Sequence, residues 1–230
     1  MCTGFISKGD DLIAGFNFDL AAGAWDYKVY AKPDMFYIGI KVGGTVYRVH
    51  GVNKNGNFGN LPYMNAPDKG VYRRGKGCKR LDLLMDGYIS GKYSYADILD
   101  IVTANAIVNV PNASMHSLIA DGDGRMMLIE PGLGCRELTG GHAIISNFPL
   151  LEQVEDLSPK WYGKDRYDRG AELLNSSGGF CAADGLALLR EVRQEGEWAT
   201  RVSFVYSKNE SAVYYVQNND FDNVIKHPFK

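Results

Sequence analysis

The sequence predicts an α+β fold of four layers (αββα), two mainly antiparallel sheets face to face with helices on their outer faces. Three observations carry this prediction. Short apolar or alternating runs are separated by glycine-bearing turns, helical periodicity is confined to two places, and those places alternate with the strand groups. Glycine is frequent, 27 of 230 residues, against a usual share of about 7%, as expected of many turns between strands.

The first strand group comprises residues 3–7, 12–16, 36–42 and 45–52, and the pair Gly43-Gly44 marks the last two as a hairpin. The first helical region covers residues 79–89 and 94–104, with Leu83, Leu84, Ile98, Leu99 and Val102 as inward-facing positions. Ser94, with Asp97 three residues on, reads as the N-cap of its second helix. A second strand group follows at 117–121, 126–130, 135–138 and 142–146, joined by turns such as Asp121-Gly122-Asp123-Gly124. The second helical region covers 164–174 and 183–192, where Leu186, Leu189 and Val192 recur at helical spacing. Strands at 201–207 and 212–216 close the chain. No repeat or linker interrupts it, so residues 1–230 are read as one domain. The stretch 53–77 is rich in Asn, Gly, Pro and charge, lacks periodicity and exceeds ordinary loop length, which marks it as a functional loop.

Composition narrows the function. A hydrophobic share of 45% with 23% charged residues is that of a folded globular chain. A net charge of −2 offers no basic field for nucleic acid or an anionic membrane, so neither is expected as a partner. The opening MCTGFISKGDDL has no basic leader or apolar signal core, and a cytoplasmic location is expected. The cysteines at 2, 78, 135 and 181 form no CxxC pair, and the last three are read as buried thiols. The histidines at 50, 116, 142 and 227 show no ligand spacing, so no metal and no cofactor are expected.

The chemistry points to Cys2. Removing Met1 leaves a thiol and a free amine on one residue, with reference pKa values of about 8.5 and about 7.7 to 8.0, so the amine can take the thiol proton near neutral pH. With Met1 retained the same nitrogen is an amide and cannot act as base. Met1-Cys2-Thr3-Gly4, followed by Gly15-Phe16-Asn17-Phe18-Asp19, resembles the opening of the choloylglycine hydrolase family, which includes bile salt hydrolases and penicillin V acylases. The resemblance implies the N-terminal nucleophile hydrolase fold, and it implies for Asp19 the role of the GRNxD aspartate, which accepts a hydrogen bond from the nucleophile's amine. Phe16 departs from the motif: the family carries Arg there, a cation that would favour the thiolate.

Further motifs follow in the same order. Residues 51–56 (GVNKNG) are similar to the family's G-M-N-x-x-G segment, and counting on without gaps reaches Tyr63, where penicillin V acylases carry Tyr and bile salt hydrolases usually Asn. Residues 116–121 with 127–130 resemble the family's paired strands, and Tyr167-Asp168-Arg169 is similar to a helical segment that packs or caps. Ser146-Asn147-Phe148-Pro149 resembles the TN-x-P motif, which implies an oxyanion donor in Asn147. Arg201 resembles the family's late arginine near the nucleophile. The resemblance thus implies a hydrolase of linear amides with Cys2, Asp19, Asn147 and Arg201 as catalytic residues. Phe16, Phe18, Tyr63 and Met64, with Trp25 nearby, suggest an apolar or aromatic acyl site, Phe16 and Phe18 being equally readable as core. A small-molecule amide is the expected partner and a homo-oligomer stays open. Two alternatives stand beside hydrolysis: a binding protein that has lost the chemistry, and an acyltransferase working through the same acyl-enzyme.

Overall fold

The computed structural model describes residues 2–152, 162–176 and 179–230; Met1, on whose removal the nucleophile reading depends, lies outside them. Strands β1 (Thr3–Lys8) and β2 (Leu12–Asp19) pair antiparallel within a six-stranded sheet. Its order is β12 (His142–Ile145), β1, β2, β13 (Thr200–Ser207), β14 (Ala212–Gln217), β15 (Ile225–Pro228). The second sheet has seven strands in the order β11 (Gly134–Leu138), β10 (Met126–Glu130), β9 (Ser117–Ala120), β6 (Phe58–Gly59), β5 (Thr45–Asn53), β4 (Met35–Val42), β3 (Tyr27–Lys32). A short parallel pair, β7 (Cys78–Arg80) and β8 (Ala106–Val108), stands apart.

Three apolar clusters define the layers. Between the sheets lie Ile6, Ala14, Phe16, Phe18, Phe36, Phe58, Leu118, Leu128 and Phe204. Helices α1 (Leu81–Ile89) and α2 (Tyr95–Ala104) cover the seven-stranded sheet through Leu84, Met85, Tyr88 and Ile98 against Ile119, Met127 and Ile129. Helices α3 (Lys164–Ser176) and α4 (Ala182–Glu191) cover the other through Leu174, Leu188 and Leu189 against Phe5, Ile13, Ile144 and Val205. This is the αββα arrangement expected from the sequence. Each strand of a central pair in such a stack is buried on both faces, and β2 accordingly has every residue buried.

Local rules account for the details. Gly43 and Gly44 have φ of 56° and 83°, the left-handed pair that a two-residue hairpin needs to join Val42 to Thr45. Gly15 cannot be replaced without a clash, because a Cβ there would lie 2.4 Å from the Phe5 ring. Ser94 caps α2, its hydroxyl accepting from the Asp97 amide while the Asp97 carboxylate accepts from the Ser94 amide. Leu83, expected to face inward, is exposed: α1 turns Leu81, Leu84 and Met85 to the sheet. Cys181 is exposed at the N-cap of α4, and Cys78 and Cys135 are half-buried, so none is the buried thiol expected. Among the described residues, no helix is long and apolar enough to cross a membrane.

Candidate active site

Cys2 immediately precedes β1. The β1–β2 register pairs Thr3 with Asn17 and Gly4 with Phe16, which brings Cys2 opposite Phe18 and next to Asp19 at the end of β2. Side chains alternate along a strand, so Cys2 shares the inner face with Gly4 and Ile6. The residue is buried. Its backbone nitrogen donates to Asn147 Oδ1 at 2.7 Å, and its thiol lies 3.9 Å from the Asp19 backbone oxygen.

Asn147 follows β12, the strand beside β1, and is fully buried. Its Oδ1 accepts from both the Cys2 nitrogen and Arg166 Nη2, the latter at 2.9 Å, and its Nδ2 donates to the Tyr63 carbonyl at 2.6 Å. The long loop anticipated between 53 and 77 therefore reaches Asn147, the partner of the Cys2 nitrogen, through Tyr63. Asn65 strengthens this junction by donating its amide to the Asn147 carbonyl at 2.8 Å.

Arg166 in α3 is the cation of this cluster. Only 7% exposed, it directs Nη1 to the Cys2 carbonyl at 2.9 Å, to Thr3 Oγ1 at 2.8 Å and to Asp19 Oδ2 at 3.4 Å. Arg201, expected from the sequence to hold this place, instead donates through Nε to the Leu20 carbonyl at 2.9 Å. The guanidinium bond to the Cys2 carbonyl thus comes from α3. Sequence reasoning missed Arg166, which in an amphipathic helix reads as one more solvated charge; the one pointer was its place directly before the Tyr167-Asp168-Arg169 stretch.

Asp19 is buried where β2 meets the start of β13. Its Oδ1 accepts from Thr200 Oγ1 at 2.6 Å, and its Oδ2 accepts from Gln194 Nε2 at 3.2 Å as well as from Arg166. Burial nevertheless dominates and pushes its carboxyl up to about 6, against the lowering effects of Thr200, Arg166 and Gln194. Burial likewise pushes the Cys2 thiol up to about 11, with the Asp19 charge adding to the rise. At neutral pH the thiol is protonated, so nucleophilic attack from this site requires a base that takes its proton during the reaction.

The other residues expected to bind substrate divide. Phe16 and Met64 are fully buried and Phe18 nearly so. Phe16 stacks on His50, across the sheet interface, with ring centroids 4.2 Å apart, and burial depresses His50 to about 3, which keeps the ring neutral. Phe16 is therefore a core residue, as the second reading of that position had it. Tyr63, by contrast, is 46% exposed beside the cluster, and Trp25 is exposed on the loop that follows β2. A cavity of about 360 Å³ opens at the sheet edge between Tyr27, Val29, Tyr215 and Gln217. Tyr27, on its rim, packs edge-on against Phe18 with ring centroids 5.2 Å apart. Among the described residues, no group of three or more His, Cys, Asp or Glu side chains is arranged to hold a metal ion.

The fold is shared with solved structures. The chain is similar to a mutant of conjugated bile acid hydrolase from Clostridium perfringens, with a TM-score of 0.69 and 13% identity over 98% of this chain and 92% of that one. It is also similar to penicillin V acylase from Agrobacterium tumefaciens, with a TM-score of 0.63 and 13% identity over 94% and 83% of the two chains. A third likeness is to the Caenorhabditis elegans ortholog of N-acylethanolamine-hydrolyzing acid amidase, with a TM-score of 0.51 and 14% identity over 90% and 93%. No protein-family model matches the sequence, and no curated protein matches it. The class is defined by the fold: this is an N-terminal nucleophile hydrolase fold. Within that class the resemblance to choloylglycine hydrolases, read from the opening motifs, is met by a fold shared with a bile acid hydrolase and a penicillin V acylase.

Proposed function

We propose that the chain is a hydrolase of linear carboxylic amides that works through a thioester on Cys2. The observation that carries this reading is the convergence on Cys2 of Asn147, Arg166 and Asp19, from three separate elements, at the head of the first strand. Once Met1 is removed, the Cys2 nitrogen is an amine held by Asn147 Oδ1, on the same residue as the thiol. The amine takes the thiol proton as sulfur attacks the amide carbonyl. The sulfur–carbon bond forms, and the tetrahedral intermediate collapses by breaking the carbon–nitrogen bond. The amine delivers its proton to the leaving nitrogen. Water then adds to the thioester and releases the carboxylic acid, and the thiol is restored.

Two donors suit the developing oxyanion. Asn147 Nδ2 has a second hydrogen beyond the one given to Tyr63. The second donor is the Tyr63 backbone N–H. Tyr63 bridges Met115, while the bonds of its neighbours run from the His116 amide to Pro62 O and from the Met64 amide to Ser114 O. In such a pairing the central residue turns its own N–H and C=O away from the partner strand, to one common side. Its C=O meets Asn147, so its N–H faces the same way. Arg166 supports the charge that forms on sulfur, a role that Phe16 cannot fill.

An apolar or aromatic acyl group is favoured by the exposed aromatic rings of Tyr63, beside the cluster, and Trp25, on the loop after β2. The test is a panel of aryl-acyl, fatty-acyl and bile-acid amides run on protein whose intact mass lacks Met, with Cys2→Ala as control. Amide cleavage that Cys2→Ala abolishes is the expected result. Cleavage that survives in Cys2→Ala overturns the proposal.

A further inference from the structure

The buried pair His116 and Glu130 takes no part in the chemistry above, yet both side chains are fully buried and 3.0 Å apart. The His116 ring faces an acceptor on each side: Nδ1 meets Glu130 Oε1, and Nε2 meets the Ser146 carbonyl at 2.7 Å. A carbonyl can only accept, so Nε2 carries a proton. Glu130 is in turn an acceptor twice over, with the Leu150 amide on Oε1 and the Leu151 amide on Oε2, both at 2.8 Å. Two amide donors favour a carboxylate over a carboxylic acid, which leaves the shared proton on Nδ1.

The partners of this pair are the two ends of one segment. His116 holds Ser146, and Glu130 holds Leu150 and Leu151, so the turn carrying Asn147 is clamped on both sides. Ser146 adds a bond of its own, from Oγ to the Cys2 carbonyl at 3.2 Å. The His116 backbone meanwhile ties down the other wall through the bond from its amide to Pro62 O at 3.2 Å, one residue before Tyr63. We infer that His116, as an imidazolium paired with the Glu130 carboxylate, is a positioning residue that fixes Asn147 and Tyr63 against Cys2. Neither side chain touches the reacting atoms. The kinetic part of this inference rests on the proposed amide hydrolysis; the structural part does not.

Nitrogen-15 NMR of the intact protein tests both parts. At neutral pH two ring N–H signals are expected for His116, identified by their loss in His116→Gln. Glu130→Gln keeps shape and removes the charge, and is expected to leave one ring N–H signal and to move the side-chain amide signals of Asn147. In a kinetic assay Glu130→Gln should lower kcat by about tenfold to a hundredfold, as misplacement of a reacting group by a fraction of an ångström does, with KM little changed. A single ring proton on His116 in the unsubstituted protein overturns the inference, as do unmoved Asn147 signals in a folded Glu130→Gln protein. Should Glu130→Gln not fold, the ring-proton count and the Asn147 signals of His116→Gln decide. An unsubstituted protein that cleaves no amide counts against the proposed function alone, because the NMR arms still judge the pair.

Discussion

Replacing Asp19 by asparagine should make the protein more stable at neutral pH. Asp19 is almost completely enclosed, and its carboxyl titrates at about 6 in place of 3.8 because burial outweighs the hydrogen bonds from Thr200, Arg166 and Gln194. At about 1.36 kcal/mol per pH unit, that displacement corresponds to an upper bound of about 3 kcal/mol by which the ionised form is disfavoured in the folded protein. The sign follows from proton binding. Between pH 3.8 and about 6 the folded chain holds this proton and the unfolded chain releases it, so the contribution of Asp19 to stability declines as pH rises through that window. Above it the whole cost is present. The substituted side chain carries no charge, and its amide retains an acceptor for Arg166 and a donor for the Thr200 oxygen. Urea unfolding of both proteins at pH 4, 5, 6 and 7 should therefore show Asp19→Asn gaining relative to the unsubstituted chain by about 2 kcal/mol over the series, with most of the gain between pH 4 and pH 6. A stability difference that stays flat, or turns against Asp19→Asn as pH rises, refutes the reasoning, since it would mean that the Arg166 pair overcomes the desolvation of the carboxylate.

The remaining predictions concern single side chains around the nucleophile. Asn147→Ala should lower kcat by on the order of a hundredfold, the usual effect of one lost oxyanion donor at about 2.7 to 4 kcal/mol; undiminished turnover in steady-state kinetics would remove Asn147 from that role. Arg166→Gln should slow alkylation of Cys2 by iodoacetamide and raise the pH at which it proceeds, whereas Arg201→Ala, whose side chain holds the Leu20 carbonyl, should leave both unchanged. Equal effects of the two substitutions in a stopped-rate alkylation assay would contradict the placement of the cation. Phe16→Arg, which introduces the arginine of the motif that residues 15–19 resemble, should destabilise the fold by several kcal/mol, because it sets an unpaired charge in a fully buried position against the neutral His50. A urea midpoint as high as that of the unsubstituted protein would show that this position can open to solvent.

These outcomes trace back to what a one-dimensional reading can register. The strands lining the interior were legible because each is an apolar or alternating run ended by a turn, and the helices because their apolar positions recur at helical spacing. The unanticipated strands are of a different kind. β3 is an edge strand with no fully buried residue, and its alternation stops after Tyr27, Lys28 and Val29. β6 has two residues, and it exists only because β5 and β9 lie on either side to pair with it. β15 is paired along one edge of β14 and is likewise largely exposed.

The site divides along the same line. Cys2, Asp19 and Asn147 stand in motifs whose order along the chain is itself information. Arg166 does not, because an arginine in an amphipathic helix looks like any other solvated charge until packing carries it 164 residues back to the Cys2 carbonyl. Phe at position 16 and the burial of Arg166 are physically compatible. A guanidinium at position 16 would have to leave the interior between the sheets, where Phe16 and His50 now fill the space with an uncharged stack. A guanidinium approaching from α3 instead meets four oxygens, those of Cys2, Thr3, Asp19 and Asn147, which satisfy it without crossing that core. A positive charge can thus be brought beside Cys2 from the helical layer while the sheet interface stays apolar, so on the proposed chemistry an arginine at position 16 is not required.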